Sequence, residues 1–319
     1  MPIRILCLHG MAINGQIFES QTAAFRSLLP DDYEFTFVDG PYSCKPDLGI
    51  ASVYPGPYLC WYRTPTTESV TRAHQRVRSI MAEKGPFDGV MGFSQVCWYC
   101  LFSLQASPLL SKILFSLEDH LSETQQGAAV AVSMILHHQL EHPSSAPLFR
   151  FAIFIGSPLP FSHSLMHGID TRSYFGVPYG LDCRLFDKYK RPNKVPGYLI
   201  TPDRYLKDDS DDEGTVSSSS TDEEESPIAT PLETPSPAGE GVFYQMFHST
   251  ADEVRMNIPT VHIFGRKDPW YLHSKDVLQL ACPENASVLE HCYGHEVPRH
   301  LSEEICDLIE SAVVSAEAF

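Results

Sequence analysis

The amino-acid sequence predicts an α/β fold, with a mostly parallel sheet of six strands and helices on both faces. Short apolar runs alternate along the chain with longer segments of helical period, an order typical of a parallel sheet covered on both sides. The apolar runs also lack the polar alternation of half-exposed strands, as expected of strands buried on both faces. Right-handed crossovers would place the C-terminal ends of the strands, and any active site, along one edge.

The predicted elements fall into two sets. The strands, in chain order, are Ile3–Leu8, Glu34–Val38, Gly89–Met91, Phe151–Ile155, Thr260–Phe264 and Ser287–Glu290. The helices occupy residues 16–29, 67–84, 95–106, 127–141, 273–281 and 300–315. Residues 157–206 have no clear period and are rich in Gly, Pro and aromatic residues, so we expect a lid-like excursion that forms a substrate wall.

An acidic insertion at 207–241 interrupts what is otherwise a single domain spanning residues 1–319. Ten of the 40 Asp and Glu residues lie between Asp208 and Thr234 without any Lys or Arg, so this segment carries most of the net charge of −17. The insertion is rich in Ser and Pro and nearly free of large apolar groups, which predicts disorder. Its Ser and Thr residues could be kinase substrates, or the segment could be a solvated loop without a regulatory role.

The composition argues against several classes of protein. Outside the acidic insertion the chain is only mildly acidic, which argues against a nucleic-acid surface. No apolar run approaches the roughly 18 residues of a membrane-spanning helix, and the N-terminus has the pattern of a strand rather than a signal peptide. Nine cysteines at irregular spacing indicate free thiols in a reducing compartment, so a cytoplasmic location is expected.

Motifs for nucleotide or metal binding are missing as well, and we expect no metal or organic cofactor. The sequence contains no P-loop and no GxGxxG after the first strand. His137 and His138 have no partners at metal-ligand spacing and are interpreted as a partly exposed helix face. Cys97 and Cys100 match C-x-x-C, but they lie inside a predicted helix rather than at its N-terminus, which favours core packing over redox chemistry.

Ser94 is the candidate nucleophile, within Gly92-Phe93-Ser94-Gln95-Val96. This segment follows an apolar strand and opens a predicted helix, the context of a nucleophile elbow, in which a strained serine is lifted above the sheet edge. The backbone N–H of Gln95 would then be one oxyanion donor. The positions two before and two after the serine must be small, which Gly92 satisfies and Val96 does not.

A serine nucleophile needs a base and an orienting acid, which in nucleophile-elbow hydrolases follow in the order acid, then histidine. Asp268 lies three residues beyond a predicted strand that stops at Gly265, and His295 comes directly after Gly294, beyond the next strand. Each could have a plainer role, since Asp268 could cap a helix and His295 could be a surface histidine. His291 is an alternative base, but it lies at the strand end before the glycine turn.

The second oxyanion donor is expected from the loop after the first strand. Gly10 would let the chain turn sharply enough to aim the Met11 N–H at the site. His9, beside it, could be a catalytic base. A His-Gly pair at this point is more often structural, however, and we favour a role for His9 in holding the oxyanion loop.

These motifs together resemble the FSH family of serine hydrolases, which have the α/β-hydrolase fold. The matching stretches are RILCLHGMAINGQIF at 4–18, FVDGP at 37–41, FDGVMGFSQ at 87–95, FAIFIGS at 151–157, IPTVHIFGRKD at 258–268 and YGHEVPR at 293–299. The resemblance covers nearly the whole chain apart from 107–127, the excursion and the acidic insertion. It implies that Ser94 is the nucleophile, Asp268 the acid and His295 the base.

The chain departs from the family at the elbow. Family members usually have GFSQG followed by small residues such as Ala-Ala, whereas this chain has GFSQVCWYC. Val96, Trp98 and Tyr99 put bulk where strand and helix cross. Either the facing helix recedes, or the elbow is distorted and activity is weak.

Family members are esterases or thioesterases, and several fungal ones are encoded with polyketide synthases, whose acyl chains they release or edit. The resemblance therefore implies hydrolysis of a small lipophilic ester or thioester in secondary metabolism, with an acyl-carrier domain as a potential partner. Ser94 would attack the acyl carbonyl while His295 takes its proton, and water would later release the acid from the acyl-enzyme.

Aromatic side chains could form the substrate wall, although they could equally belong to the core. The candidates are Tyr42, Trp61, Tyr62, Phe161 and Tyr174. Two other functions remain open, namely a non-catalytic binding protein that keeps the fold and its pocket, and an acyltransferase that passes the acyl group to an alcohol or amine. The intact set of catalytic residue types argues against the first.

Overall fold

The computed structural model describes residues 2–46, 48–94, 126–171 and 244–318. The helix predicted for 95–106, with its Cys97 and Cys100, lies outside the described residues. So do the acidic insertion at 207–241 and the part of the excursion beyond residue 171.

Strands and helices alternate along the described chain as predicted, and the ends of the predicted elements shift by three residues or fewer. In chain order the elements are β1 (Ile3–Leu8), α1 (Gly15–Arg26), β2 (Tyr33–Val38), β3 (Tyr42–Ser43), α2 (Leu48–Ala51), β4 (Leu59–Cys60), α3 (Thr67–Lys84), β5 (Gly89–Phe93), α4 (Gly127–Glu141), β6 (Phe151–Ile155), β7 (Phe161–Ser162), β8 (Ile169–Asp170), β9 (Gln245–Met246), β10 (Thr260–Gly265), α5 (Tyr271–Leu278), β11 (Ala286–His291) and α6 (Ser302–Glu317). Two single turns of 3-10 helix, Pro283–Asn285 and Arg299–Leu301, precede β11 and α6.

The six predicted strands form one central sheet, in the order β11-β10-β6-β5-β1-β2. Every neighbouring pair in this sheet is parallel. The predicted fold class is therefore confirmed. The remaining strands are two residues long and form small antiparallel sheets, β3 with β4, and β9 between β7 and β8.

Two apolar cores cover the sheet, one on each face. Successive side chains of a strand point to opposite faces, so alternate residues join different cores. On β1, Leu6 and Leu8 join the core covered by α3, α4 and α5, whereas Ile5 and Cys7 join the core covered by α1 and α6. Helices thus lie on both faces, as predicted. Among the described helices, none is both long and apolar enough to cross a bilayer.

Candidate active site

The carboxyl ends of four sheet strands bring the candidate catalytic groups to one edge. Ser94 directly follows β5, Asp268 lies three residues after β10, and His295 lies four residues after β11. The loop after β1 carries His9 and Met11. Because parallel strands end together at this edge, residues as far apart in sequence as Ser94 and His295 are in contact.

His295 and Asp268 form a buried pair. The His295 Nδ1–H donates to Asp268 Oδ2 at 2.7 Å, and the two side chains are 3% and 1% exposed. The other carboxylate oxygen, Oδ1, accepts from the Trp270 backbone N–H at 2.7 Å, which fixes the carboxylate. Burial by itself lowers the pKa of His295, but the charge and hydrogen bond of Asp268, together with the Ser94 carbonyl, raise that pKa above its ordinary value.

The second ring nitrogen of His295 contacts the backbone of Ser94 rather than its hydroxyl. Nε2 lies 2.5 Å from the Ser94 carbonyl oxygen, whereas Ser94 Oγ is buried and has no hydrogen-bond partner among the described residues. A carbonyl oxygen can only accept, so both ring nitrogens donate here and His295 is an imidazolium. This arrangement is therefore not the one in which Nε2 accepts a proton from serine.

The Ser94 backbone also differs from the strained turn expected of a nucleophile elbow. Within the described ranges, Ala12 is the non-glycine residue with a positive φ, at 58°. Ser94 thus lacks the left-handed conformation that would lift its hydroxyl above the sheet edge. The next residues of the predicted turn, Gln95 and Val96, lie outside the described residues.

Gly156, directly after β6, leaves room for the His295–Asp268 pair and was not identified from the sequence. A Cβ atom at this position would lie 2.6 Å from His295 Cε1 and 3.3 Å from Asp268 Oδ2. Its φ of 56° is also one that side chains disfavour. The Phe93 ring stacks on the His295 imidazole with centroids 5.5 Å apart, so the ring has little freedom to move away. The only signal in the sequence was a glycine that ends an apolar run.

The loop after β1 is held by His9. Its Nδ1–H donates to the Gly10 carbonyl at 2.6 Å, and its Nε2 accepts from the Gly40 N–H at 2.8 Å. Burial lowers the pKa of His9 to about 4, so the ring is neutral at pH 7. The Trp61 indole N–H donates to the His9 carbonyl at 2.9 Å. Both ring nitrogens are occupied, which agrees with the structural role favoured for His9 rather than with a catalytic one.

Met11 follows His9 in the same loop, and its backbone N–H has no acceptor in the part of the chain that the structure describes. The residue with a positive φ in this loop is Ala12, directly after Met11. The Ala12 N–H donates to the Leu59 carbonyl at 3.1 Å, which anchors the turn to β4. The Met11 amide can therefore serve as a hydrogen-bond donor to a ligand.

Three residues expected in the substrate wall belong to the core instead. Trp61, Tyr62 and Phe161 are at most 2% exposed and lie in the core that α3 and α4 cover. Large rings remove the most apolar area from water there, and the sequence pattern does not distinguish that role from a pocket wall. Tyr42 is half-buried and packs beside the loop after β1. Tyr174 lies outside the described residues.

The helix that crosses β5 at Gly92 is α4. A Cβ atom on Gly92 would lie 2.5 Å from the Ala128 Cα, in agreement with the expectation that this position must be small. Gly127 has no room for a side chain either, because a Cβ atom there would collide with the backbone carbonyl groups of Leu8 and Phe93. The start of α4 is therefore packed tightly against the ends of β1 and β5.

Gln126 precedes α4 and was also not identified from the sequence. The residue is fully buried, and its side-chain Oε1 accepts from the backbone N–H groups of Trp61 and Tyr62. Its Nε2–H donates to the Tyr62 carbonyl. These three hydrogen bonds fix the start of α4 to the segment after β4.

A second group of titratable side chains surrounds the last turns of α4. His137 is buried, and not partly exposed as its place beside His138 suggested, because its ring stacks on that of His163 with centroids 3.5 Å apart. Burial and the neighbouring imidazoles lower the pKa of His137. Ligand atoms of His137, Glu141 and His163 lie within 4.8 Å of one another, close enough to hold a cation. The two rings are nearly parallel, however, so their in-plane lone pairs do not converge on one point.

Comparisons with known proteins point to serine hydrolases and esterases. A family model described as serine hydrolase (FSH1) matches residues 1–104 and 125–304. The chain is 27% identical to hydrolase FUB4 of Fusarium oxysporum f. sp. lycopersici, over 98% of this chain and 99% of that protein. It is 28% identical to esterase alnB of Emericella nidulans, over 94% and 91% of the two chains. It is 25% identical to esterase FPY3 of Fusarium mangiferae, over 98% of each chain.

Proposed function

Because this chain belongs to the FSH1 family of serine hydrolases, we propose that it cleaves carboxylic esters or acyl thioesters with Ser94, His295 and Asp268 as catalytic residues. The observation that carries the proposal is the buried hydrogen bond between His295 and Asp268, held in contact with Ser94. A buried carboxylate–imidazole pair beside a serine is the arrangement that activates a hydroxyl for attack on an acyl carbon.

In the acylation step, Ser94 Oγ attacks the acyl carbonyl carbon as His295 Nε2 takes the hydroxyl proton. Asp268 keeps the imidazole in the tautomer with hydrogen on Nδ1 and stabilises the imidazolium that forms. The tetrahedral intermediate then collapses, its bond to the leaving alcohol or thiol breaks, and His295 returns the proton to that leaving group. The product of this step is an acyl-serine.

In the deacylation step, water attacks the acyl-serine while His295 takes one of its protons. Collapse of the second intermediate releases the carboxylic acid and returns the proton to Ser94 Oγ. The Met11 backbone N–H is the proposed oxyanion donor from the β1 loop. Such a donor typically contributes roughly 3–4 kcal/mol to the transition state.

The proposed reaction requires Oγ to replace the Ser94 carbonyl oxygen at His295 Nε2. Both oxygens belong to Ser94, so a change of its backbone torsions to the left-handed conformation exchanges them without moving the His295–Asp268 pair. Loss of the Nε2 proton accompanies this exchange, because only the neutral imidazole can accept from a hydroxyl.

The proposed substrate is a small lipophilic ester or thioester, such as a polyketide-type acyl chain on an acyl-carrier domain. The similarity to fungal proteins named as hydrolases and esterases supports an ester as the bond cleaved.

Turnover of a matched series of p-nitrophenyl esters and acyl thioesters tests the proposal. We expect release of the free acid, abolished in Ser94→Ala and reduced at least a thousandfold in His295→Ala. His291→Ala is the matched control, because this second histidine ends β11 and accepts a hydrogen bond from the Tyr293 backbone N–H. This variant should retain the parent rate. Turnover that survives Ser94→Ala, or that is lost in His291→Ala instead of His295→Ala, would overturn the assignment.

A further inference from the structure

We propose that residues 95–125 are an insertion that interrupts the nucleophile elbow, and that Gln126, Gly127 and Ala128 form the second half of that elbow. The competent hydrolase is then the chain in which Ser94 is joined directly to Gln126. This inference depends on the proposed function, since it concerns the same serine.

The two ends of the interrupting segment lie at one place in the fold. A Cβ atom on Gly127 would lie 2.7 Å from the Phe93 carbonyl oxygen, although the two residues are far apart in sequence. Ordinary bond lengths then place the Cα atoms of Phe93 and Gly127 within about 7 Å, the spacing of the first and fourth residues of a tight turn. Phe93, Ser94, Gln126 and Gly127 can therefore form one four-residue turn without moving β5 or α4.

The sequence on either side of the segment supports the same junction. Glutamine occurs twice, as Gln95 after the serine and as Gln126 before Gly127. Removal of 31 residues, counted as 95–125 or as 96–126, leaves the same chain, Gly-Phe-Ser-Gln-Gly-Ala-Ala. That chain has small residues both two before and two after the serine, as an elbow requires. The gap between the two ranges that the family model matches, 105–124, lies wholly within the segment.

The packing places Gly127 at the strand–helix crossing. Gly127 is enclosed by backbone carbonyl groups at the ends of β1 and β5, where any side chain would collide. Gly92 on the strand is likewise closed by Ala128. The requirement for small residues is thus met by Gly127 and Ala128, which begin α4. The large residue at Val96 then no longer conflicts with the family pattern at the elbow.

In this elbow the backbone amide of Gln126 replaces that of Gln95 as the second oxyanion donor. Gln126 lies at the N-terminus of a 15-residue helix, where backbone N–H groups have no partner within the helix and the helix dipole favours negative charge. Its side chain is hydrogen-bonded to the backbone of Trp61 and Tyr62, and Trp61 in turn holds the His9 carbonyl. The proposed donor is therefore tied to the loop that carries Met11.

The interruption also accounts for the arrangement of Ser94. An elbow holds its serine in a left-handed conformation because the next residues are fixed at once by the helix. With 31 residues between Ser94 and Gln126, that constraint is lost, and Ser94 presents its carbonyl rather than its hydroxyl to His295. The full-length chain should therefore contain the catalytic pair but a poorly oriented nucleophile.

The test compares the rate of fluorophosphonate labelling of the full chain with that of a variant lacking residues 95–125. We expect the shortened chain to label at Ser94 at least about a hundredfold faster, the effect typical of restoring one oxyanion donor and the nucleophile geometry. A third chain, in which 95–125 is replaced by a Gly-Ser segment of equal length, should label as slowly as the full chain. Thermal unfolding of all three reports whether each is folded.

Two results would overturn the inference while leaving the proposed function in place. In the first, the full and shortened chains are labelled at Ser94 at equal rates. In the second, the Gly-Ser chain is labelled as fast as the shortened chain. A shortened chain that no longer unfolds cooperatively would also contradict it, because the junction is proposed to fit the existing turn. Folded chains that all fail to label at Ser94 would instead overturn the proposed function, and the inference with it.

Discussion

Replacement of Gly156 by alanine is expected to displace His295 at moderate cost to the fold. The new Cβ would lie 2.6 Å from His295 Cε1 and 2.9 Å from Nδ1, whereas ordinary contacts are 3.4–4 Å. The imidazole would have to move by about 1 Å, and such a misplacement typically costs roughly a hundredfold in rate. The φ of 56° adds about 1–2 kcal/mol of strain, which lowers the free energy of unfolding.

The assay is the rate of fluorophosphonate labelling of Gly156→Ala relative to the parent, with urea unfolding of each protein. Gly168→Ala is the matched control, because Gly168 also has a positive φ, at 82°, and a Cβ there would lie 2.5 Å from the Met246 carbonyl. The control should lose stability but keep its labelling rate. Parent-like labelling of folded Gly156→Ala would refute the steric argument for this glycine.

The remaining predictions concern the acid, the pH response, the elbow and the gene. Asp268→Asn should lower kcat by roughly ten-thousandfold. In the parent protein, kcat/KM should rise with pH, and its midpoint should lie above the ordinary pKa of histidine, because the raised pKa of His295 keeps Nε2 protonated at lower pH. A value of kcat/KM that falls between pH 6 and 8 would contradict this pH prediction. The pKa of His9 is about 4 when folded, below its unfolded value of about 6.5, so its contribution to stability is complete above pH 6.5 and is lost as the pH falls towards 4, by about 3 kcal/mol. Urea unfolding at pH 7 and pH 4 should show this loss in the parent, and a smaller one in His9→Gln. Gln126→Ala should lower the free energy of unfolding by roughly 2–4 kcal/mol, since it leaves buried backbone groups of the segment after β4 unpaired, whereas an unchanged urea midpoint would argue against those hydrogen bonds. The codon of Val96 begins with GT and that of Gln126 can end in AG, the bases that bound most introns, so an unspliced intron can account for residues 96–126. Sequencing of transcripts should then detect a form that lacks these codons, and finding full-length transcripts alone would count against an intron as the origin of the segment.

The sheet could be predicted from the sequence because each of its strands is a continuous apolar run. Both faces of the sheet are buried, so Phe151–Ile155 and Thr260–Gly265 carry no polar alternation and contrast clearly with the helices between them. The placement of Ser94, Asp268 and His295 at one edge of the sheet could also be predicted, because each residue follows a parallel strand.

The supporting residues could not be predicted, because their roles depend on contacts between distant segments. Gly156 is needed only because the His295 ring, from beyond β11, packs on it. A large aromatic residue such as Trp61 suits either a substrate wall or the core. Only the burial of Trp61 beside His9 distinguishes between the two. His137 is buried because His163, from another segment, stacks on it.

The elbow could be predicted only in part. The local pattern at Gly92 to Gln95 predicted a helix directly after the serine, and that helix lies outside the described residues. The helix that packs on β5 begins at Gly127. No pattern within a short window could connect two halves of one turn across 31 intervening residues.

Peptide mapping of a fluorophosphonate adduct tests the central claim most directly, and it should be done on both the full and the shortened chain. We expect one adduct per molecule, on Ser94, which is absent in Ser94→Ala and strongly reduced in His295→Ala. An adduct on another residue, or no adduct on a folded chain of either length, would contradict the claim that Ser94 is the nucleophile of a serine hydrolase.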